Sequence, residues 1–118
     1  MTTQELTSPE LAVYQVLVKL VGEGNFQYQT PFMGGRMLPG GVIADFYIPY
    51  LSLIISVIGI YWHRTRERRG QDEMQRMALL SRGITTIYID EEDANKNAYF
   101  YVSEALRLID HSSVIREE

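Results

Sequence analysis

Asp45 stands inside an otherwise apolar run, V-I-A-D-F-Y-I-P-Y-L-S-L-I-I-S-V-I-G-I-Y-W-H, which spans residues 42–63 and ends in Trp62 and His63. A carboxylate among apolar residues is costly to bury unless something binds it. A strand that presents such a group rigidly can offer it to a hard cation such as Mg²⁺, which takes carboxylate oxygens, main-chain carbonyls and waters. Histidine is the side chain suited to proton transfer under ordinary conditions, so His63 can act as a proton acceptor beside that ion. Arg64, Arg66, Arg68 and Arg69 follow at once, and arginines so placed can hold a phosphate backbone. Each residue also has a plainer reading: an inert acid at a sheet edge, a surface histidine, and a solvated loop of like charges.

These groups act together only if the intervening elements bring them together. Pro49-Tyr50 divides the apolar run into two pieces of strand length, about 42–48 and 52–61, rich in β-branched and aromatic residues. Adjacent antiparallel strands would carry the end of the second piece back to the middle of the first. Upstream, Thr7-Ser8-Pro9-Glu10 reads as a capped helix start, with Leu11, Val13, Val16, Leu17, Leu20 and Val21 at helical spacing and Gly22 and Gly24 as the stop. Phe26, Tyr28 and Thr30 alternate as in a half-exposed strand, and Gly34-Gly35 and Pro39-Gly40-Gly41 mark turns.

Downstream, residues 63–70 read as a polar loop. Asp72 opens a helix that reaches Arg82 and stops at Gly83. Residues 84–89 form a strand, 90–93 an acidic turn, and 94–109 a last helix, with a frayed tail after His111. The order is α-β-β-β-α-β-α in one domain over residues 1–118: an α/β fold with a mixed central sheet flanked by helices. The aromatic residues of Asn97–Tyr101 read as packing for the last helix, with any exposed remainder open to a partner interface.

Composition narrows the functions. The 118 residues include no cysteine, so disulfides and thiolate metal sites are excluded, as suits a cytoplasmic protein. The polar M-T-T-Q-E start is not a secretory signal. A net charge of −4 lacks the basic surplus of a free-standing nucleic-acid binder, although residues 64–69 are locally basic. Residues 42–62 have the length of a membrane span, with arginines after them imitating a cytoplasmic flank. Asp45, Pro49 and Ser52 interrupt that run, and two buried strands account for it better.

Taken in order, T-S-P-E-L-A, A-D-F-Y-I-P, I-I-S-V-I-G-I-Y-W-H and R-R-G-Q-D-E-M-Q-R-M-A-L-L-S-R-G-I-T-T-I-Y-I resemble the very-short-patch-repair endonucleases and their relatives in the PD-(D/E)XK nuclease superfamily. The likeness covers about residues 7–91, with residues 92–110 as a C-terminal helix. It implies a restriction-endonuclease-like core and a Mg²⁺- or Mn²⁺-dependent DNA endonuclease. It implies that Asp45 holds the metal, that the Val57 main-chain carbonyl is a further ligand, and that Glu10 binds through water. It also implies that His63 is the active-centre histidine, that Asp72 is the acid paired with it, and that Trp62 packs beside the site.

One departure stands out. The superfamily's second strand carries Glu or Asp, one residue, then Lys, where this chain has Ser56-Val57-Ile58; the second histidine of the short-patch group is replaced by Ile58. An alternative is therefore a catalytically degenerate nuclease-fold module used for DNA binding or as a subunit. A second alternative is a small membrane-associated protein. The short chain, without a long recognition insert, points to a minimal core acting as a homodimer or within a larger assembly.

Overall fold

A computed structural model describes residues 6–35 and 41–116. Its elements follow the expected order: α1 (Ser8–Leu20), β1 (Gln27–Phe32), β2 (Val42–Ile48), β3 (Leu53–Ile58), α2 (Arg66–Leu80), β4 (Thr85–Asp90) and α3 (Glu91–Leu106). The Pro39-Gly40 part of the expected turn lies outside the described residues.

The four strands form one sheet in the order β1-β2-β3-β4. β1, β2 and β3 run antiparallel, and β4 lies parallel to β3 after the α2 crossover. A parallel neighbour requires such a crossover, and a helix between the strands is its usual form. The apolar run at 42–62 is thus two strands and a tight turn at Pro49–Leu51, not a span. Among the described residues, no helix is long and apolar enough to cross a membrane.

Helices cover both faces of the sheet. On one, α1 and α3 bury Val13, Leu17, Ala94, Val102 and Ala105 against Phe46, Ile48, Leu53, Ile55, Ile87 and Ile89. On the other, Leu79 of α2 packs on Ala44 and Ile54 in a smaller cluster. Burying an aliphatic or aromatic side chain contributes about 1.5–3 kcal/mol, so the first face supplies most of the stability.

Local chemistry explains the helix limits. Thr7 caps α1 in a reciprocal box with Glu10. Thr65 caps α2 by accepting from the Arg68 N–H at 3.1 Å. This moves the helix start forward: Arg66, Arg68 and Arg69 belong to the first turns of α2, not to a loop, and Asp72 sits well inside it. Gly83, at φ +83°, ends the turn after α2, where the Ile84 N–H donates to the Leu79 carbonyl at 3.0 Å. The acidic segment after β4 is likewise helical, with Asp90 at the cap position and Glu91, Glu92 and Asp93 in the first turn of α3. Acidic residues there complement the helix dipole.

Candidate functional site

The sheet changes hands at Asp45. On β2, Phe46 and Ile48 face the α1/α3 core, whereas Ala44, two residues before Phe46, faces α2. On β1, Tyr28 faces the first side and Phe32 the second. Strict alternation would keep each pair on one face. The β1–β2 ladder passes from Tyr28↔Phe46 to Thr30↔Ala44, leaving Gln29 and Asp45 unpaired between them. Gln29 takes φ +55°, a left-handed conformation uncommon for a residue with a side chain, and it lets both strands invert together.

Pairing of β2 with β3 also ends here, at Phe46↔Ile55. Beyond it the Val57 N–H has lost a strand partner, and the Asp45 carboxylate takes its place: Val57 N donates to Oδ2 at 2.8 Å. A buried backbone donor left unpaired would be costly, so this bond fixes the carboxylate in the gap between the strands. In an extended residue the N–H and C=O project to the same strand edge, so the Val57 carbonyl opens toward the same gap.

Glu10 reaches the gap from the first turn of α1. Its Oε1 accepts from both the Thr7 N–H and the Thr7 hydroxyl at 2.9 Å, which aims the carboxylate. It therefore serves as capping-box acid and as the neighbour of Asp45 at once. Burial pushes the Asp45 carboxyl up from 3.8 to about 6; the Val57 N–H pulls it down, the facing Glu10 pushes it further up, and the Arg64 guanidinium pulls it down. The result is an acid half ionised only near pH 6, opposite a second acid.

The other expected residues separate. His63 is exposed on a single helical turn, Tyr61–His63, beyond the end of β3. No hydrogen bond or ion pair joins it to Asp72. Asp72 is instead held by Arg64 at 2.5 Å and by Arg68 at 3.4 Å. The expected His63–Asp72 pair is thus replaced by an arginine clamp, because the early start of α2 puts Asp72 one turn after Arg68. Of the four arginines, Arg64 and Arg68 spend their charge on Asp72, Arg69 lies over the Trp62 ring at 4.8 Å, and Arg66 is exposed. Ser56 faces α2, lining a cavity of about 30 Å³ with Thr86, Tyr88 and Arg76, and Ile58 is buried.

One polar cluster was not anticipated from the sequence. Asp90, 1% exposed, is bound by the chain after α3, where Ser112 and Ser113 are also buried. Through Arg116, the tail expected to be frayed is therefore docked. Alternation in T-T-I-Y-I-D puts Asp90 on the face of Thr86 and Tyr88, opposite Ile87 and Ile89, so the strand pattern carried no signal for its burial.

Among the described residues, no group of three His, Asp or Glu side chains converges as a metal centre. The paired carboxylates of Asp45 and Glu10, with the Val57 main chain, are the nearest approach to one. Comparison with protein-family models, curated proteins and solved structures finds no match to this chain.

Proposed function

We propose that this chain has the restriction-endonuclease-like fold of the PD-(D/E)XK superfamily, nearest in pattern to the short-patch-repair enzymes, and that it hydrolyses phosphodiester bonds in DNA. The observation that carries this reading is the Asp45–Glu10 pair at the parting of β2 and β3. Burial and a facing acid keep the Asp45 proton up to about pH 6, and a cation can take its place. One oxygen of Asp45 is committed to Val57 N–H and the other is not.

This donor set fits a Mg²⁺ or Mn²⁺ ion held by Asp45 and the Val57 carbonyl, with Glu10 acting through water, because such ions keep several waters and need only one or two carboxylates. When bound, the ion would stabilise charge on the phosphate and acidify a water. Asp45 and Glu10 set the charge of the gap. His63, without a carboxylate partner, is available to take up a proton. Arg66 and Arg69, the two arginines that Asp72 does not engage, supply phosphate contacts. A cytoplasmic homodimer or a subunit of a larger assembly accommodates so small a core.

A second reading has its own support. Ser56 and Ile58 stand where the superfamily places its acid and lysine, and Asp72 is engaged by arginines. On that reading the chain binds duplex DNA without cutting.

Nicking of supercoiled and mismatched duplexes with Mg²⁺ or Mn²⁺, beside Asp45→Ala and His63→Ala, tests the proposal. Metal-dependent nicking by the wild type that both variants lose supports it. Equal nicking by all three proteins, or none by any, removes it; duplex binding without nicking leaves the second reading.

A further inference from the structure

The chain after α3 returns across the molecule to the corner that carries Trp62, His63 and Arg64. At its start, Asp110 caps the free edge of β4, accepting from the Tyr88 N–H at 3.0 Å, and turns the chain by accepting from the Ser112 N–H at 2.8 Å. Capping protects an edge strand that would otherwise offer open backbone groups. Further on, the Asp90 carboxylate takes the Ser113 N–H at 3.0 and 3.1 Å, the Ser113 hydroxyl at 2.7 Å and the Arg116 guanidinium at 2.5 Å.

The same two residues then hold the corner. Ser113 Oγ accepts from the Tyr61 N–H, and the Arg116 carbonyl accepts from Trp62 Nε1, both at 2.8 Å. Asp90 occupies the cap position of α3 yet makes no side-chain bond to that helix, so its carboxylate is given over to the strap. The corner passes the constraint on: the Arg64 N–H donates to the Tyr61 carbonyl at 3.0 Å, the Tyr61 hydroxyl donates to the Arg69 carbonyl at 3.2 Å, and the Arg69 guanidinium stacks on Trp62. Nothing in β3 itself pairs with residues 61–64, since the strand ends at Ile58.

We infer that residues 110–116 are a positioning strap, anchored on Asp90, that sets the Trp62–His63–Arg64 corner beyond the end of β3, with Ser113 and Arg116 as its positioning residues. The functional meaning of that corner rests on the phosphodiesterase reading; the mechanical coupling does not. Arg116 acts through Trp62 and Asp90 and touches no reacting group. Its side chain is 56% exposed, so replacing it removes an anchor without opening the core.

Trp62, the one tryptophan of the chain, reports on the strap directly. The experiment compares full-length wild type with Arg116→Ala, Ser113→Ala and Arg116→Lys. It follows tryptophan emission and, by NMR, hydrogen exchange at Tyr61 N–H and Trp62 Nε1–H, with Ile55 and Ile87 amides as the core reference. Arg116→Ala and Ser113→Ala are expected to speed exchange at Tyr61 and Trp62 by about tenfold or more, as for local opening, with the core amides unchanged. Emission moves to longer wavelength as the indole meets water. Arg116→Lys, which keeps a charge for Asp90, restores most of both signals.

Unchanged exchange at Tyr61 and Trp62 overturns the inference. So does equal acceleration of the core amides, which would make the strap an ordinary part of the global fold. Absence of metal-dependent nicking by the wild type counts against the phosphodiesterase reading alone, because the exchange rates need no substrate.

Discussion

Replacing Asp45 by Asn stabilises this protein at alkaline pH and leaves it nearly unchanged in acid. In the folded chain the carboxyl is raised from 3.8 to about 6, chiefly by burial and next by the facing Glu10, against the pull of Val57 N–H and Arg64. A raised acid binds its proton more tightly folded than unfolded. Its contribution to stability is therefore complete below pH 3.8, falls as the pH rises toward 6, and is lost above it. The span corresponds to on the order of 3 kcal/mol between the acid and alkaline limits. Asn carries no charge, keeps an oxygen for Val57 N–H, and offers its amide to Glu10, so it escapes the loss.

For a chain of this length 1 kcal/mol moves Tm by about 4 °C, so Asp45→Asn should melt about 12 °C above wild type at pH 8. At pH 4 the two should melt nearly together. Asp93 is also raised, by burial and by Asp90, but it titrates in both proteins and cancels in the comparison. The assay is calorimetry from pH 4 to 8 in chelator, repeated with Mg²⁺. The ion should raise the wild-type Tm by binding the folded state and leave Asp45→Asn unmoved. An Asn variant that melts at or below wild type at pH 8, or a difference that does not grow with pH, would refute the reasoning about the gap.

Three further outcomes follow from particular contacts. Glu10→Gln should lower the Asp45 titration midpoint, read from its carboxyl ¹³C shift, because Glu10 raises it; a midpoint that stays or rises would contradict the facing geometry. Thr86→Val should be neutral or stabilise by about 1 kcal/mol in urea unfolding, since Thr86 Oγ1 is buried without a partner; a loss above that size would mean that the hydroxyl is bonded. Arg66→Ala and Arg69→Ala should each weaken duplex binding across all sequences and reduce the slope of log K against log salt by about 1, measured by anisotropy; sequence-dependent loss would exclude a backbone role.

Much of the architecture was legible in the chain. The Thr7–Glu10 box, the helical spacing of Val13 and Leu17, the split at Pro49 and the stop at Gly83 are local signals, and local chemistry decides them. The order of seven elements and the mixed sheet followed. The start of α2 was misjudged because the run of arginines reads as a loop by composition, whereas the Thr65 hydroxyl and its bond to the Arg68 N–H set the helix boundary. The tail after His111 was misjudged because polar residues at a terminus resemble solvated chain, while their partner, Asp90, lies 23 positions away from Ser113.

The sequence by itself determined which residues have chemistry to offer, since side-chain type and local spacing are written in it: Asp45 in an apolar strand, Glu10 in a cap, His63 and the arginines after it. The tertiary structure decided which of them meet. Asp45 faces Glu10 because both β1 and β2 invert at Gln29 and Asp45 and because β2 leaves β3 just where Val57 N–H needs a partner. Asp72 meets Arg64 and Arg68 because the helix begins six residues earlier than composition implies. Such pairings depend on strand register, on the start of a helix and on a strap from the far end of the chain. Those are set by the free energy of the whole packed chain, which no local window of residues contains.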